Sequence, residues 1–160
     1  MDNNERISAR AQAAKDNFRQ GYNCTQAVVL AFSDILPIDK ETLAKLSSPF
    51  GGGMARMREV CGAVSGMFIV EGLLLGYSSP SDYEAKSSLY AKANALGTKY
   101  AQINGSVVCR ELLEGVTHTV GTFPEKRTDE YYKKRPCADL VYCAAEILAE
   151  HLCEQGIGGI

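Results

Sequence analysis

The sequence predicts an all-α fold, a single compact bundle of about six helices around a buried central apolar helix. Apolar residues recur at steps of three and four along most of the chain, as on one face of an α-helix. No segment alternates as a half-buried strand does, apart from a weak trace at 115–123, and we assign 115–128 to a loop. The chain of 160 residues has the length of one domain. We predict one helical domain over 1–154 and a frayed, glycine-rich tail over 155–160.

Start and stop signals bound the predicted helices. Gly21 ends the first helix, and Pro37 follows the second. Ser81 with Glu84 forms a capping-box signature for the fifth, and Pro136 suits the first turn of the last. The predicted helices, in chain order, cover about residues 4–20, 24–36, 40–46, 60–76, 81–104, 106–113 and 136–154.

The segment 60–76 is apolar nearly all round, which predicts the buried central helix of the bundle. It contains Gly62 and Gly66, and a glycine inside a helix costs about 1 kcal/mol relative to alanine. One reason for them is the close approach of another helix backbone. The other is that they clear space around the Cys61 sulfur and leave backbone N–H groups to bond it. Both reasons stay open at this point.

Composition narrows the functional classes. The chain has 17 Lys+Arg and 19 Asp+Glu, a net charge of −2, and its basic residues are scattered, so we expect no nucleic-acid partner. We also expect no membrane segment, because the longest apolar stretch is interrupted by glycines and a glutamate. The polar amino terminus lacks a secretory signal, which predicts a cytoplasmic protein. Six cysteines in that compartment are expected to be reduced thiols.

Four of the six cysteines lie in or beside the first turn of a different predicted helix. Two of these helix starts follow the candidate caps Asn23 and Ser106. A helix N-terminus has unpaired N–H groups and a positive partial charge, which favour thiolate, the form that binds metals and attacks disulfides. If the four starts converge, they form a four-thiolate site. The four residues are Cys24, Cys61, Cys109 and Cys137.

The spacing alone leaves an alternative open, in which all six cysteines are small buried residues. The intervals between the four match neither a paired Cys-x-x-Cys zinc site nor a ferredoxin run. Cys143 and Cys153 lie inside the last predicted helix, off the direction of Cys137, and we expect them to be core or surface thiols.

Other residues near the four cysteines are candidates for supporting roles. The glycine-rich loop 51–53 lacks the ending of a nucleotide-binding loop, and we expect a turn or a wall of the cysteine site. For Arg56 and Arg58 three roles stay open: stabilisation of a thiolate, attraction of an anionic partner, or plain solvation on the surface. With only His118 and His151 in the chain, a Cys–His nucleophilic enzyme is disfavoured, and we expect His151 on a helix face.

Several motifs resemble those of a known family. Cys-Gly-Ala-x-x-Gly at 61–66 is preceded by Gly-Tyr-Asn-Cys and Phe-Gly-Gly-Gly and followed by Asn-Gly-Ser-x-x-Cys-Arg-Glu-Leu. In this order they resemble the C-GCAxxG-C-C family of small bacterial putative redox-active proteins, over about 21–152. The resemblance implies a helical protein with redox or metal-cluster chemistry. It maps the family's four characteristic cysteines onto Cys24, Cys61, Cys109 and Cys137.

The leading hypothesis is that these four cysteines ligate an iron–sulfur cluster for electron transfer, with Gly62 and Gly66 beside the cofactor. The first alternative uses the same cysteines without metal as a thiol/disulfide redox protein, with Cys61 as the nucleophile. The second is a non-enzymatic helical module with a structural zinc or only buried thiols. Covalent haem is not expected, because the Cys-x-x-Cys-His motif of some larger relatives is missing. The redox partner is unknown, and a homo-oligomer stays open.

Overall fold

A computed structural model of the protein describes residues 1–160 and confirms the all-α class. The chain forms eight α-helices and two short 3-10 helices, 33–35 and 48–50, rather than about six helices. The only β feature is an isolated antiparallel bridge between Val60 and Val108. The α-helices are α1 (Asn3–Arg19), α2 (Cys24–Leu30), α3 (Lys40–Ser47), α4 (Gly62–Leu75), α5 (Tyr83–Asn104), α6 (Cys109–Leu112), α7 (Asp129–Lys134) and α8 (Cys137–Glu154).

The predicted helix starts are largely correct, with differences at two caps. Asn23 caps α2 with its side chain, which accepts a hydrogen bond from the Gln26 N–H. At α5 the cap is Asp82, one residue after the predicted Ser81, and its side chain accepts from the Ala85 N–H. Ser106 does not cap α6 directly, since its hydroxyl oxygen accepts from the N–H of the cap residue Val108.

Helix α2 ends at Leu30, six residues before the predicted end. The backbone tightens there into i→i+3 hydrogen bonds and then a 3-10 turn, and this turn buries Phe32 completely. The Arg10 guanidinium holds the turn, because it donates to the Ala31 carbonyl at 2.8 Å and pairs with Asp34. A contact from α1 therefore ends a helix whose own sequence would continue.

Two helices contact four others each: α8 contacts α1, α2, α4 and α5, and α2 contacts α1, α3, α4 and α8. The predicted central helix, α4, is buried only over its first half and at Val70 and Glu71. Phe68 is 38% exposed, and the apolar residues near the end of α4 are half-buried, because α5 covers only part of that helix. None of the helices combines the length and the apolar character that crossing a bilayer requires.

The predicted loop over 115–128 is confirmed, since it contains no helix or strand, but the short helix α7 that follows it was not predicted. The tail 155–160, predicted to be frayed, folds back on the bundle. Ile160 is 8% exposed and belongs to the core, and the Gly159 carbonyl accepts a hydrogen bond from Arg10. The glycines thus permit a turn that returns the chain to α1.

Candidate cysteine site

The four cysteines of the predicted site all stand at helix starts, as the sequence predicts. Cys24, Cys109 and Cys137 are the first residues of α2, α6 and α8, and Cys61 is the cap residue of α4. Three of them are buried, with Cys24 half-buried, and all four are free thiols.

The bundle brings these four residues to one place, because each thiol interacts electrostatically with the other three. Burial raises the pKa of Cys61 to about 11 and also raises the pKa of Cys109. Neighbouring cysteines raise both further, since two thiolates repel each other. As free thiols, these two are therefore protonated at neutral pH.

Cys24 and Cys137 form a pair with opposite behaviour. The neighbouring Cys137 thiol raises the pKa of Cys24 well above its usual value, and burial adds to this. In return, Cys24 lowers the pKa of Cys137 to about 7, with the positive charges of Arg135 and Arg127 acting in the same direction against burial. In the thiol form of the site, Cys137 therefore carries the most thiolate character. This differs from the sequence-based expectation that Cys61 is the nucleophile.

Cys61 and Cys109 are joined through the backbone. The Cys61 N–H donates to the Val107 carbonyl at 2.7 Å, and the Cys109 N–H donates to the Glu59 carbonyl at 2.5 Å. These bonds flank the Val60–Val108 bridge, so both cysteines lie on the same face of the ribbon, as diagonal neighbours about 7–8 Å apart in a regular ladder. The bridge thus holds the starts of α4 and α6 in register.

Two side chains that the sequence did not single out for the site act on its sulfurs, Tyr100 on Cys61 and Arg135 on Cys137. The Tyr100 hydroxyl lies 3.3 Å from the Cys61 Sγ and is completely buried. Arg135, only 8% exposed, acts on Cys137 from two residues upstream. Tyr100 was predicted only as part of an apolar stripe, and the one available signal for Arg135 was its position just before the last cysteine helix.

The glycine-rich loop forms a wall of the site at Gly53. A Cβ atom there would lie 2.5 Å from the Cys109 Cβ, so the loop backbone packs directly on this cysteine. Residues 52–56 and Arg58 all have positive φ, including four residues that are not glycine. Such conformations cost about 1 kcal/mol or more for each non-glycine residue, and they persist only where the surroundings impose them. We infer that contacts such as the packing of Gly53 on Cys109 stabilise this left-handed loop against its conformational strain.

The loop places Arg56 and Arg58 on different partners. The Arg56 guanidinium donates to the Thr119 carbonyl at 3.1 Å and to the Gly121 carbonyl at 2.7 Å, and so ties the loop 115–128 to the site. The Arg58 Nη1 lies 3.9 Å from the Cys109 Sγ and lowers its pKa against the effect of burial. The contact of Arg58 is therefore with Cys109, and burial still keeps the pKa of that thiol above its usual value.

The first predicted reason for Gly62 and Gly66 is confirmed, because both lie where α2 crosses α4. A Cβ at Gly62 would lie 2.7 Å from the Thr25 Oγ1 and 3.1 Å from the Cys24 Cβ, and one at Gly66 would lie 2.8 Å from the Val28 Cβ. The second reason is supported at Ala63, whose backbone N–H bonds the Cys61 sulfur. The glycines therefore bring the Cys24 and Cys61 helices together.

We expect Gly62→Ala to destabilise the protein by about 1–3 kcal/mol, because the added methyl group overpacks the α2–α4 crossing. Gly72→Ala is the matched control in the same helix, since nothing lies within 4 Å of its Cβ position. That change should stabilise by about 0.5–1 kcal/mol through helix propensity. Urea unfolding of both variants measures the difference. Equal free energies of unfolding would contradict the close-approach explanation.

The remaining cysteines and both histidines have other partners. Cys143 accepts a hydrogen bond from the Asn104 amide at 3.4 Å, and Cys153 is half-buried in α8. The His118 Nδ1 lies 2.8 Å from the Val116 carbonyl, and His151 pairs with Glu71. Hence neither histidine has a hydrogen-bond partner among the cysteines. No group of three or more histidine, cysteine, aspartate or glutamate side chains is arranged to hold a metal ion.

The fold and the site define a class, that of small all-α proteins that gather four free cysteines from four helix starts beside arginine side chains. The sequence profile of the family described as "Putative redox-active protein (C_GCAxxG_C_C)" matches residues 22–151. The chain belongs to this family, which confirms the predicted resemblance. No curated protein and no solved structure matches the chain.

Proposed function

We propose that the protein is an electron-transfer protein in which Cys24, Cys61, Cys109 and Cys137 ligate an iron–sulfur cluster. The observation that carries this proposal is the convergence of four thiols from four helix starts, each within electrostatic reach of the other three. Four cysteines are the usual ligand set of both [2Fe–2S] and [4Fe–4S] clusters. When bound, such a cluster supplies one-electron redox chemistry.

The surroundings of the sulfurs fit this donor set. Four buried thiolates without compensating charge would be costly, and positive side chains stand beside them. Arg58 acts on Cys109, while Arg127 and Arg135 act on Cys137. The Tyr100 hydroxyl and the Ala63 N–H supply hydrogen bonds to the Cys61 sulfur, a means of tuning a reduction potential.

Anaerobic reconstitution with iron and sulfide tests the proposal. We expect a brown protein with bound iron and sulfide and little zinc, and a serine variant at any of the four cysteines should lose most of the iron. Cys143→Ser and Cys153→Ser are the matched controls and should keep it, because both residues lie outside the set. A protein free of iron and sulfide after reconstitution, or equal loss in the control variants, would exclude the cluster.

One observation favours a second candidate, a metal-free dithiol that reduces disulfides. The Cys24 and Cys137 thiols shift each other's pKa more than any other group does, and the pKa of Cys137 falls to about 7. The Cys137 thiolate would attack a disulfide substrate, forming a mixed disulfide and releasing one substrate thiol after protonation. The Cys24 sulfur, on losing its proton, would then attack the Cys137 sulfur and release the second thiol. The substrate gains two electrons and two protons, and the protein keeps a Cys24–Cys137 disulfide.

Mild oxidation of metal-free protein tests the dithiol. Peptide mass spectrometry should find a disulfide between Cys24 and Cys137, with the loss of two hydrogens, and Cys143 should stay free. Oxidation that leaves both thiols free, or that joins them only to other cysteines, would exclude this mechanism. The dithiol test uses protein without iron, so its result is independent of the reconstitution experiment.

A further inference from the structure

A cavity of about 480 Å³ lies beside the cysteine site, between the left-handed loop and the chain that leads into α8. Its volume falls in the range of small-molecule sites. Only two of its 14 lining residues are hydrophobic, and charged side chains supply much of the wall. The charged and aromatic residues that line it are Arg56, Arg58, Arg127, Arg135, Glu125 and Tyr131.

The charge of this lining is strongly positive, although the whole chain has a net charge of −2. Four arginines face one carboxylate, that of Glu125. Arg135 forms an ion pair with Glu125, and Arg56 reaches the same carboxylate at 4.0 Å. No carboxylate forms an ion pair with Arg58 or Arg127, so the cavity carries uncompensated positive charge.

The two arginines without a carboxylate partner are nevertheless held in place by neutral groups. Arg127 donates to the Phe18 carbonyl at 3.0 Å and to the Tyr22 carbonyl at 3.1 Å, and its guanidinium lies 4.2 Å from the centre of the Phe18 ring. Arg58 donates to the Thr119 carbonyl at 3.3 Å. These contacts fix the guanidinium groups without neutralising them. An anion that binds between them loses little entropy to side-chain ordering.

We propose that this cavity binds a small molecule with at least two negative charges on phosphate or carboxylate groups. Planar guanidinium groups match both kinds of oxyanion. Arg58 and Arg135 both line the cavity. Arg58 also acts on the Cys109 sulfur, and Arg135 acts on the Cys137 sulfur. A bound anion would therefore lie within electrostatic reach of the cysteine site. The inference goes beyond the proposed function and does not depend on whether the cysteines hold a cluster or act as a dithiol, because no cysteine lines the cavity.

Binding of pyrophosphate, inorganic phosphate and succinate to the full chain tests the proposal, by calorimetry against chloride at equal ionic strength. We expect at least one of these anions to bind with a submillimolar Kd. Whether the phosphates or succinate bind more tightly identifies phosphate or carboxylate as the recognised group. Arg58→Gln should weaken anion binding about tenfold, because it removes one charge-assisted hydrogen bond to the anion. Arg6→Gln, an exposed arginine outside the cavity, should leave the Kd unchanged.

A second variant changes the affinity in the opposite direction. Glu125→Gln removes the competing carboxylate from Arg135 but keeps an oxygen to accept from the Thr119 N–H, so we expect tighter anion binding. The proposal is overturned if no probe binds better than chloride, if Arg58→Gln and Arg6→Gln act alike, or if Glu125→Gln weakens binding in a folded protein. Iron content after reconstitution is measured on the same samples, so failure to bind anions and failure to hold a cluster are told apart.

Discussion

Replacement of His151 by leucine is expected to destabilise the protein by about 3 kcal/mol. The His151 Nε2 lies 3.1 Å from Oε1 and 3.0 Å from Oε2 of Glu71, whose side chain is completely buried. Oε2 has no hydrogen-bond partner, so the bond between His151 and Oε1 is the one hydrogen bond of this carboxyl group. The substitution therefore leaves a buried carboxyl group without its one polar partner. Urea or thermal unfolding followed by far-UV circular dichroism measures the loss.

Two further variants separate the buried pair from an ordinary ion pair. Adding Glu71→Leu to His151→Leu should recover most of the lost stability, because the double variant has no unpaired buried polar group. Lys99→Leu in α5 removes the exposed ion pair with Glu150 of α8, one residue before His151, and should cost under about 1 kcal/mol. A loss of under about 1 kcal/mol for His151→Leu, or no recovery in the double variant, would contradict this account of the Glu71–His151 pair.

Gly53→Ala is expected to destabilise the protein by about 2–4 kcal/mol and to disrupt the cysteine site. Its φ of +70° costs about 1 kcal/mol for alanine, and the new methyl group would lie 2.5 Å from the Cys109 Cβ and 2.8 Å from the Arg58 Cα. Neither of these atoms is the end of a flexible side chain, so the loop must move. Unfolding measurements and iron content after reconstitution are the two readouts.

Gly156→Ala is the matched control for this change. Its φ of +75° is nearly the same, but nothing lies within 4 Å of its Cβ position. It should therefore cost about 1 kcal/mol and leave the cysteine site intact. If the two alanine variants are equally stable and bind equal amounts of iron, the contact of the loop with Cys109 is not what positions this cysteine.

Much of the fold could be predicted from local signals. The positions of α1, α3, α5 and α8 follow from apolar periodicity and from caps, because a helix start depends on hydrogen bonds within a few residues. The end of α2 could not be predicted in this way, since Arg10 of a different helix stabilises the turn that stops it. The incomplete cover of the second half of α4 was also missed, because hydrophobicity does not show which neighbours a helix has.

In the candidate site, too, local features could be predicted from the sequence and features that depend on packing could not. The motif around Cys61 indicated the family, and caps and periodicity indicated that four cysteines stand at helix starts. The supporting residues were not indicated, since Tyr100 and Arg135 reach the sulfurs only after distant helices have packed. The same holds for His151, which was expected on a helix face and instead meets a buried carboxylate 80 positions away.

By itself, the sequence determined the all-α class, the family and the placement of four cysteines at helix starts, because these depend on local hydrogen bonding and on motif order. Only the tertiary structure decided that the pKa of Cys137, and not that of Cys61, is lowered, and that arginines line a cavity beside the start of α8. Burial and electrostatic interaction act between groups close in space, and the distances between those groups are set by the packing of α2, α4 and α8.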